Sequence, residues 1–353
     1  MPLTDLITRR QFIHGTTQFS LGALLSFGIR GGPLSHLHTE SVVQAQLGRV
    51  LTKDMTSHQE PDSSSPMINR FEFNQVVKLS QPVTVHDALA RQHIWYLLED
   101  GSYLPSRAVQ IVQDVKNKPV PVDQINNSVQ LAQVTVPFTT AWYDKKNGFK
   151  KPNQVFFYGS THWVYGLGQA EESGDKYYLV KEDRWGDMYY IDAWDLQLIP
   201  EADLQPTAPE IPFEEKTIHV NLKDQLLVAY QQNEPVFLSG ISSGYLSGKK
   251  DLTTPPGDYR INYKRPSRHM VHSDRVGAND YELYGVPWVS YFTDSGIAIH
   301  GTYWHNDFGL PRSHGCINMP IDAARWIYLW SQPSLAPREK THVSRYGTPI
   351  LVY

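Results

Sequence analysis

Side chains that could do chemistry concentrate in one part of this chain. It has 14 histidines and one cysteine, Cys316, and several of the histidines fall between residues 269 and 314. These are His269, His272, His300, His305 and His314. A thiol beside an imidazole can act as a nucleophile with its general base, because the imidazole accepts the thiol proton as sulfur attacks a carbonyl carbon. The clustering predicts covalent catalysis by cysteine.

Two short segments predict where the nucleophile and its base lie in the fold. His300 opens the segment H-G-T-Y-W at residues 300–304, and Cys316 lies in S-H-G-C-I-N at residues 313–318. The pattern predicts a base at the end of a strand and a nucleophile just before a helix. The positive end of that helix would lower the thiol pKa below its free value of about 8.5. Glycine at position 315 lets the backbone approach a substrate, and the amides of residues 314–316 predict an oxyanion hole.

These segments resemble the catalytic signature of the L,D-transpeptidases of the YkuD type. The likeness covers residues 217–353 and includes T-P-P-G-D-Y-R-I at residues 254–261, Asp322, and G-T-P-I-L-V at residues 347–352. It implies that the cysteine attacks the diamino acid carbonyl of a donor stem tetrapeptide of peptidoglycan, releases the terminal D-alanine and transfers the acyl group to an amine. It further implies Cys316 as nucleophile, His300 as base and the backbone carbonyl of Gly301 as the group that orients the imidazole.

The resemblance also implies roles for the residues around this pair. His314 is implied as a structural member of the oxyanion loop with Gly315, although its position also allows direct proton transfer. Tyr303 and Trp304 would wall the donor cleft, unless they are ordinary packed aromatics. The other residues expected to brace the loop or contact substrate are Arg312, Ser313, Asn318 and Met270.

The segment between the predicted strands at residues 264–284 is long for a plain hairpin connection, and we expect it to form a lid over the site. Taken singly, His269, His272 and His305 fit surface histidines or hydrogen-bonded core histidines better than catalytic ones.

Other function classes stay open at this stage. A metal hydrolase would use several of the clustered histidines, but no acidic residue stands at a familiar ligand spacing and the chain has no HExxH segment, so we expect no metal or cofactor. A non-catalytic wall-binding protein is disfavoured by the intact His300, Gly315 and Cys316. The same acyl-enzyme would serve an L,D-carboxypeptidase if water is the acceptor, or a wall-anchoring enzyme if a protein amine is.

Composition predicts a mainly β protein without affinity for nucleic acid. The chain has 353 residues with 24 Gly, 24 Pro and 12% aromatic residues, and its net charge is -4, so it lacks the basic excess needed to bind nucleic acid. We expect a C-terminal β-sandwich or barrel with one helix after the cysteine, preceded by small SH3-like β-barrels. The partners expected are stem peptides, with a glycan or wall polymer for the β-barrels, and the protein is expected to be a monomer.

The order of segments predicts an exported protein. Residues 1–45 resemble a twin-arginine signal, with Arg9 and Arg10 ahead of an apolar run and small residues before a cleavage point after Ala45. Such a signal predicts a mature protein in the cell envelope, associated with the wall. A flexible linker is expected over residues 46–70, a β module over 71–128, an SH3-like barrel over 129–200, a linker rich in proline and acids over 201–216, and the catalytic domain over 217–353.

Two further patterns concern secondary structure. The segment Y-L-P-S-R-A-V-Q-I-V at residues 103–112 aligns with Y-I-D-A-W-D-L-Q-L-I at residues 190–199, which predicts an internal repeat. One helix is expected from Pro320 to about Ser331, with a buried face formed by Ala323, Trp326, Ile327 and Trp330.

Overall fold

The computed structural model describes residues 46–86, 92–121, 129–144, 149–169, 174–247, 250–271 and 281–353. The predicted twin-arginine signal and His272 lie outside the described residues. Within them the protein is mainly β, as predicted, and contains a single α-helix.

The first module is a seven-stranded sheet. Its strands are β1 (Gln46–Val50), β2 (Met55–His58), β3 (Met67–Phe71), β4 (Val76–His86), β5 (Gln92–Leu98), β6 (Tyr103–Pro105) and β7 (Val109–Val112). They lie side by side in the order β3-β2-β6-β5-β4-β1-β7. The prediction of a flexible linker over residues 46–70 is therefore wrong. The prolines and serines that indicated a linker form the β2–β3 turn, and the polar residues of β3 face solvent because β3 is an edge strand.

The second module repeats this arrangement strand for strand. It consists of β8 (Gln130–Val134), β9 (Phe138–Asp144), β10 (Phe149–Phe157), β11 (Thr161–Gln169), β12 (Lys176–Lys181), β13 (Met188–Asp192) and β14 (Leu196–Leu198). Their order is β10-β9-β13-β12-β11-β8-β14, which is the order of the first module with each strand number raised by seven. The aligned segments form matching strand, 3-10 turn, strand units at residues 103–112 and 188–198, so the predicted repeat is confirmed.

The segment after the second module packs on the C-terminal domain. Residues 201–215 include two 3-10 turns, and Leu204 is buried. The Thr207 amide donates to the carbonyl of Leu329, and Arg325 donates to the carbonyl of Asp203. Most residues of the predicted linker over 201–216 are exposed, as expected, but these backbone and side-chain hydrogen bonds hold the segment to the domain.

Two five-stranded sheets form the C-terminal domain. The first consists of β15 (Lys216–Asn221), β16 (Leu226–Gln231), β17 (Glu234–Gly240), β20 (Gly257–Arg260) and β26 (Pro349–Val352). The second consists of β21 (Tyr263–Val271), β22 (Glu282–Tyr291), β23 (Ala298–Gly301), β24 (Ile317–Met319) and β25 (His342–Val343). A short hairpin of β18 (Leu246–Ser247) and β19 (Lys250–Asp251) follows β17. The main core lies between the sheets and α1 (Ile321–Trp330), and it includes Leu131 and Trp163 of the second module.

The predicted helix is confirmed, and Ile327 and Trp330 of its expected face are buried. Pro320 occupies the N-cap, and the buried residues of α1 are Ala324, Ile327, Tyr328 and Trp330. Ala323 and Trp326 are only partly buried, and the Trp326 ring stacks on Phe237 at 4.3 Å. Ala324 and Tyr328 were missed because apolar residues occupy most of the helix surface, so the sequence pattern alone did not specify the full buried face.

The expected lid is largely strand. Residues 264–271 belong to β21 and residues 282–284 to β22, and only residues 272–280 between them fall outside the described chain. Lys264 is buried in β21, where its Nζ donates to the carbonyls of Tyr328 and Ser331 at the end of α1. Lys264 therefore caps the C-terminus of α1 from inside the protein and is not part of a solvent-exposed loop.

A buried arginine connects the first module to the rest of the chain. Arg49 is 1% exposed, and its Nη2 donates to the carbonyl of Tyr303 at 2.5 Å. Its guanidinium also binds Gln110 and Asn74 within the module. Gln110 in turn donates to the carbonyl of Tyr158 in the second module at 3.0 Å.

Candidate active site

Cys316 and His300 project from neighbouring parallel strands. In the β23–β24 pair His300 stands opposite Asn318. Alternate residues of a strand share a face. Ile299 faces the main core, whereas Ala298 and Cys316 belong to a separate apolar cluster on the opposite face. Cys316 and His300 are therefore diagonal neighbours on the same side of the sheet.

The imidazole of His300 is held by the carbonyl of Gly301. Nδ1 lies 3.0 Å from the carbonyl oxygen. Since a carbonyl only accepts, Nδ1 carries the proton and the lone pair lies on Nε2. Burial lowers the pKa of His300 to about 4, and the hydrogen bond to Gly301 opposes this only in part. At neutral pH His300 is an uncharged base with one defined tautomer.

The thiol of Cys316 is also uncharged at neutral pH. Burial raises its pKa to about 11, and a hydrogen bond from the backbone of Ala298 offsets only part of that rise. The predicted lowering of the thiol pKa is therefore wrong. Its premise also fails, because β24 separates Cys316 from α1, and the thiol does not sit at the helix N-terminus.

A cavity of about 800 Å³ opens beside the thiol. Met270 and His314 line it, as do Tyr281 and Ile297. The His314 ring lies 5.3 Å from the ring of Tyr281 and 5.8 Å from that of Tyr245. The structure thus brings Met270 and His314 to the same cavity as Cys316, with the imidazole of His314 packed among aromatic rings.

The loop that carries Cys316 is braced from inside the domain. The hydroxyl of Ser313 donates to the carbonyl of Cys316 and accepts the Gly315 amide at 3.1 Å. Thr254 donates to the carbonyl of Gly315 at 2.7 Å and accepts the amide of Gly244 at 2.9 Å. The Gly315 amide thus already donates a hydrogen bond within the loop. Of the three amides predicted to bind the oxyanion, those of His314 and Cys316 remain.

Glycine is required on both sides of this brace. Gly315 has a φ of 118°, which other residues rarely adopt. At Gly244 a Cβ would lie 2.1 Å from the carbonyl oxygen of Leu252 and 2.8 Å from the Cα of Gly315. Gly244 and Thr254 were not predicted as site residues. Thr254 lies in the T-P-P-G segment, which marked a strand start but gave no sign of this contact.

Trp304 and Tyr303 have different positions. The Trp304 ring lies 5.7 Å from that of His300 and packs in the apolar cluster that includes Cys316. Tyr303 is 2% exposed, donates its hydroxyl proton to the carbonyl of Tyr284 at 2.7 Å and accepts from Arg49. Neither Tyr303 nor Trp304 lines the cavity of Cys316, and both line a second cavity together with Arg49. The partners of Tyr303 make it a link between modules, and the role of the two rings as walls of the donor cleft stays a prediction.

Arg312 and Asn318 lie behind the catalytic loop. Arg312 forms an ion pair with Asp307, and its side chain is 54% exposed. The side-chain amide of Asn318 hydrogen-bonds to Nε2 of His305 at 2.8 Å. Burial, followed by the positive charge of Arg312, lowers the pKa of His305 to about 3. Neither Arg312 nor Asn318 lines the cavity, and their contact with substrate stays a prediction.

His269 joins the second module to the C-terminal domain. Its side chain is 1% exposed, Nδ1 lies 2.7 Å from Glu182 and Nε2 lies 3.3 Å from Glu282. His269 is therefore a buried, partnered histidine, which agrees with its expected role. Its partner Glu182 could not be identified from sequence, because the contact joins residues that lie far apart in the chain.

The part of the chain that the structure describes contains no group of three histidine, cysteine, aspartate or glutamate side chains placed to hold a metal ion. Among the same residues, no helix has the length and apolar character needed to cross a membrane.

Comparison with known proteins finds sequence matches to the C-terminal domain. Residues 215–352 match the YkuD family model, described as the L,D-transpeptidase catalytic domain. The protein YciB of Bacillus subtilis (strain 168), named as an L,D-transpeptidase, is 28% identical over 130 residues, which cover 34% of this chain. The match spans 63% of the length of YciB.

Two solved structures show weaker likeness. A mutant L,D-transpeptidase of Enterococcus faecium is 21% identical, with 39% of this chain and 50% of that chain covered and a TM-score of 0.31. An L,D-transpeptidase of Mycobacterium smegmatis is 15% identical, with 69% and 93% covered and a TM-score of 0.32. The assignment of residues 215–352 therefore rests on the sequence matches.

Proposed function

We propose that this chain, whose residues 215–352 are an L,D-transpeptidase catalytic domain, cross-links peptidoglycan stem peptides. The observation that carries the proposal is the placement of Cys316 and His300 on one face of adjacent strands, with the imidazole tautomer fixed by Gly301. A neutral thiol beside a neutral base is suited to acyl transfer, since the base takes the proton as the sulfur attacks.

In the first half-reaction the thiol of Cys316 attacks the carbonyl carbon of the diamino acid in a donor tetrapeptide. The S–H proton passes to Nε2 of His300 while the S–C bond forms. The tetrahedral intermediate collapses, the C–N bond to D-alanine breaks, and the imidazolium returns the proton to the leaving amine. The product is a thioester on Cys316, and the amides of His314 and Cys316 are the proposed donors to the oxyanion.

In the second half-reaction an amine from a neighbouring stem attacks the thioester carbonyl. His300 accepts a proton from the amine and gives it to the departing sulfur, so that a new amide bond replaces the C–S bond and the free thiol is restored. Water in place of the amine would yield a tripeptide by L,D-carboxypeptidase activity. A protein amine would yield a wall-anchored protein.

The two β modules and the N-terminal segment extend the proposal to the whole chain. The 3-10 turn before the last strand of each module supports an SH3-like fold, with a glycan or wall polymer as the expected ligand. Arg9, Arg10 and the apolar run after them support export by the twin-arginine route to the cell envelope. Export and substrate would then be consistent, because stem peptides lie outside the cytoplasm.

The test is to incubate the purified protein with disaccharide tetrapeptides and analyse the products by mass spectrometry. The wild type should form cross-linked dimers, and Cys316→Ala should form none. His300→Ala should lower the acylation rate by about 10² to 10⁴. His314→Gln should lower it ten- to a hundredfold less, since its ring packs against Tyr281 and Tyr245.

Three outcomes would change the proposal. Dimers formed by Cys316→Ala would exclude the nucleophile. A greater loss for His314→Gln than for His300→Ala would exchange the two histidine roles. Tripeptides without dimers would identify a carboxypeptidase.

A further inference from the structure

A hairpin of the second module reaches the cavity beside Cys316. The connection between β12 and β13, residues 182–187, includes Arg184, which lines this cavity together with Cys316, His314 and Tyr281 of the C-terminal domain. Burial raises the pKa of Tyr281 to about 12, and the charge of Arg184 acts against that rise. The guanidinium therefore lies within electrostatic reach of the ring that packs on His314.

The hairpin is fixed in this position from within. The carboxylate of Glu182 accepts the backbone amides of Arg184 at 2.7 Å, Trp185 at 2.7 Å and Asp187 at 2.9 Å. The same carboxylate binds Nδ1 of His269 at 2.7 Å. One buried carboxylate thus both shapes the turn and joins it to β21.

A second acidic residue anchors the same turn. Asp183 accepts from the guanidinium of Arg268 at 2.9 Å and from the backbone amide of His269 at 2.7 Å, and it also pairs with Arg265. Contacts with the C-terminal domain hold the side chains of Glu182 and Asp183 in place. The next residue, Arg184, is therefore held at the rim of the cavity.

The charged residues around the cavity favour an anion. Among the described lining residues, the charged side chains are Arg184, Arg268 and Arg345 against the single carboxylate of Asp294. Asp183 balances Arg268. A planar guanidinium binds a carboxylate through two parallel hydrogen bonds, and it does so more strongly in a partly enclosed cavity than in water.

We propose that Arg184 binds a carboxylate of the donor stem peptide, so that the second β module supplies a specificity-determining residue to the active site. This inference rests on the proposed function, which supplies a donor with a carboxylate at its terminal D-alanine. The module is then part of the enzyme's substrate site in addition to any ligand it binds by itself.

The experiment compares wild type, Arg184→Gln, Arg184→Lys and a control, Arg107→Gln, which alters an exposed arginine in the first module. Each is given a donor tetrapeptide with all carboxylates free, one with only the terminal carboxylate amidated, and one with every other carboxylate amidated. The measured quantities are kcat and KM for acylation. Thermal unfolding and alkylation of Cys316 by iodoacetamide report whether the fold and the thiol are intact.

Arg184→Gln should lower kcat/KM for the fully charged donor about tenfold, mainly through KM, and Arg184→Lys should recover part of the loss. For the donor that lacks the bound carboxylate, wild type and Arg184→Gln should be equal. The donor for which they become equal identifies whether Arg184 binds the terminal carboxylate or another one. Arg107→Gln should behave as wild type.

Two results would overturn the inference while leaving the proposed function intact. One is an unchanged kcat/KM in Arg184→Gln with every donor. The other is an equal loss with all three donors, which would mean that Arg184 only supports the fold. Failure of the wild type to be acylated by any donor would instead contradict the proposed function itself.

Discussion

At the residue scale, the surroundings of Cys316 oppose its ionisation. The thiol packs with Val286, Val289 and Ala298, and burial raises its pKa to about 11. His300 is buried as well and has a pKa of about 4. An ion pair of thiolate and imidazolium would place two charges in this apolar cluster, which costs more than keeping both groups neutral.

This balance gives a prediction for alkylation by iodoacetamide, which reacts with the thiolate. The rate at Cys316 should rise steadily from pH 7, be half-maximal near pH 11 and level off only above it. His300→Ala should leave the midpoint almost unchanged, because at these pH values the imidazole carries no charge to stabilise the thiolate. The measurement is the rate constant for alkylation of the single cysteine in each protein across pH.

A plateau below about pH 8 in the wild type that disappears in His300→Ala would contradict this. It would mean that the resting protein holds a pair of thiolate and imidazolium. Cysteine, histidine and the adjacent glycines could be identified from sequence because their types carry the chemistry. The pKa values could not, since they depend on apolar residues brought in from β22 and β23.

At the element scale, strands with alternating apolar residues were predictable and strands with polar faces were not. The segments around Ile218, Leu227 and Ile350 read as strands because one face of each is buried in the main core. In β3 the side chains of residues 67–70 are exposed. In β1 the buried residues are Gly48, Arg49 and Val50, and the partners of Arg49 lie far away in the sequence. Neither pattern contains the local alternation by which a strand is recognised.

Gly285 in β22 allows the second module to approach the C-terminal domain. Its φ is 64°, and a Cβ there would lie 2.3 Å from Cε1 of His162 and 2.7 Å from the carbonyl oxygen of Thr161. Gly285→Ala should therefore combine backbone strain with a steric clash and lower the free energy of unfolding by about 3 kcal/mol.

The matched control is Gly101→Ala. Gly101 has a φ of 82° with no atom within 4 Å of the added Cβ, so only the strain of about 1 kcal/mol applies. Denaturant unfolding of both variants measures the difference. An equal loss of free energy of unfolding in the two variants would contradict this prediction. It would mean that β11 and β22 move apart enough to accommodate an extra methyl group.

At the scale of the whole molecule, the catalytic domain and the second module share a buried acid and base. Burial by itself raises the pKa of Glu182. The hydrogen bond from His269 and those from the amides of residues 184, 185 and 187 nevertheless hold this pKa at about 2. A carboxyl with a lowered pKa stabilises the folded state above its unfolded pKa of about 4.5, and the stabilisation disappears as the pH falls through 2.

At pH 7, Glu182→Gln should therefore unfold at a lower temperature than wild type. Its free energy of unfolding should be lower by about 2 kcal/mol, after allowance for solvent at the rim of the hairpin. The difference between the two proteins should narrow between pH 4.5 and pH 2. Glu99→Gln serves as control, since the Glu99 side chain is 61% exposed and pairs only with Lys78 among described residues. If the difference in free energy of unfolding between wild type and Glu182→Gln stays constant with pH, the assigned role of the Glu182 charge is contradicted.

The two modules have the same strand order, which is the pattern expected if one segment was duplicated. Strand pairing makes Gln133 the counterpart of Arg49, since Gln133 stands opposite Gln197 as Arg49 stands opposite Gln110. The copies have therefore diverged at the position where the first one reaches Tyr303. A chimera with the second module in both places would keep the strand order but lack the guanidinium that reaches Tyr303.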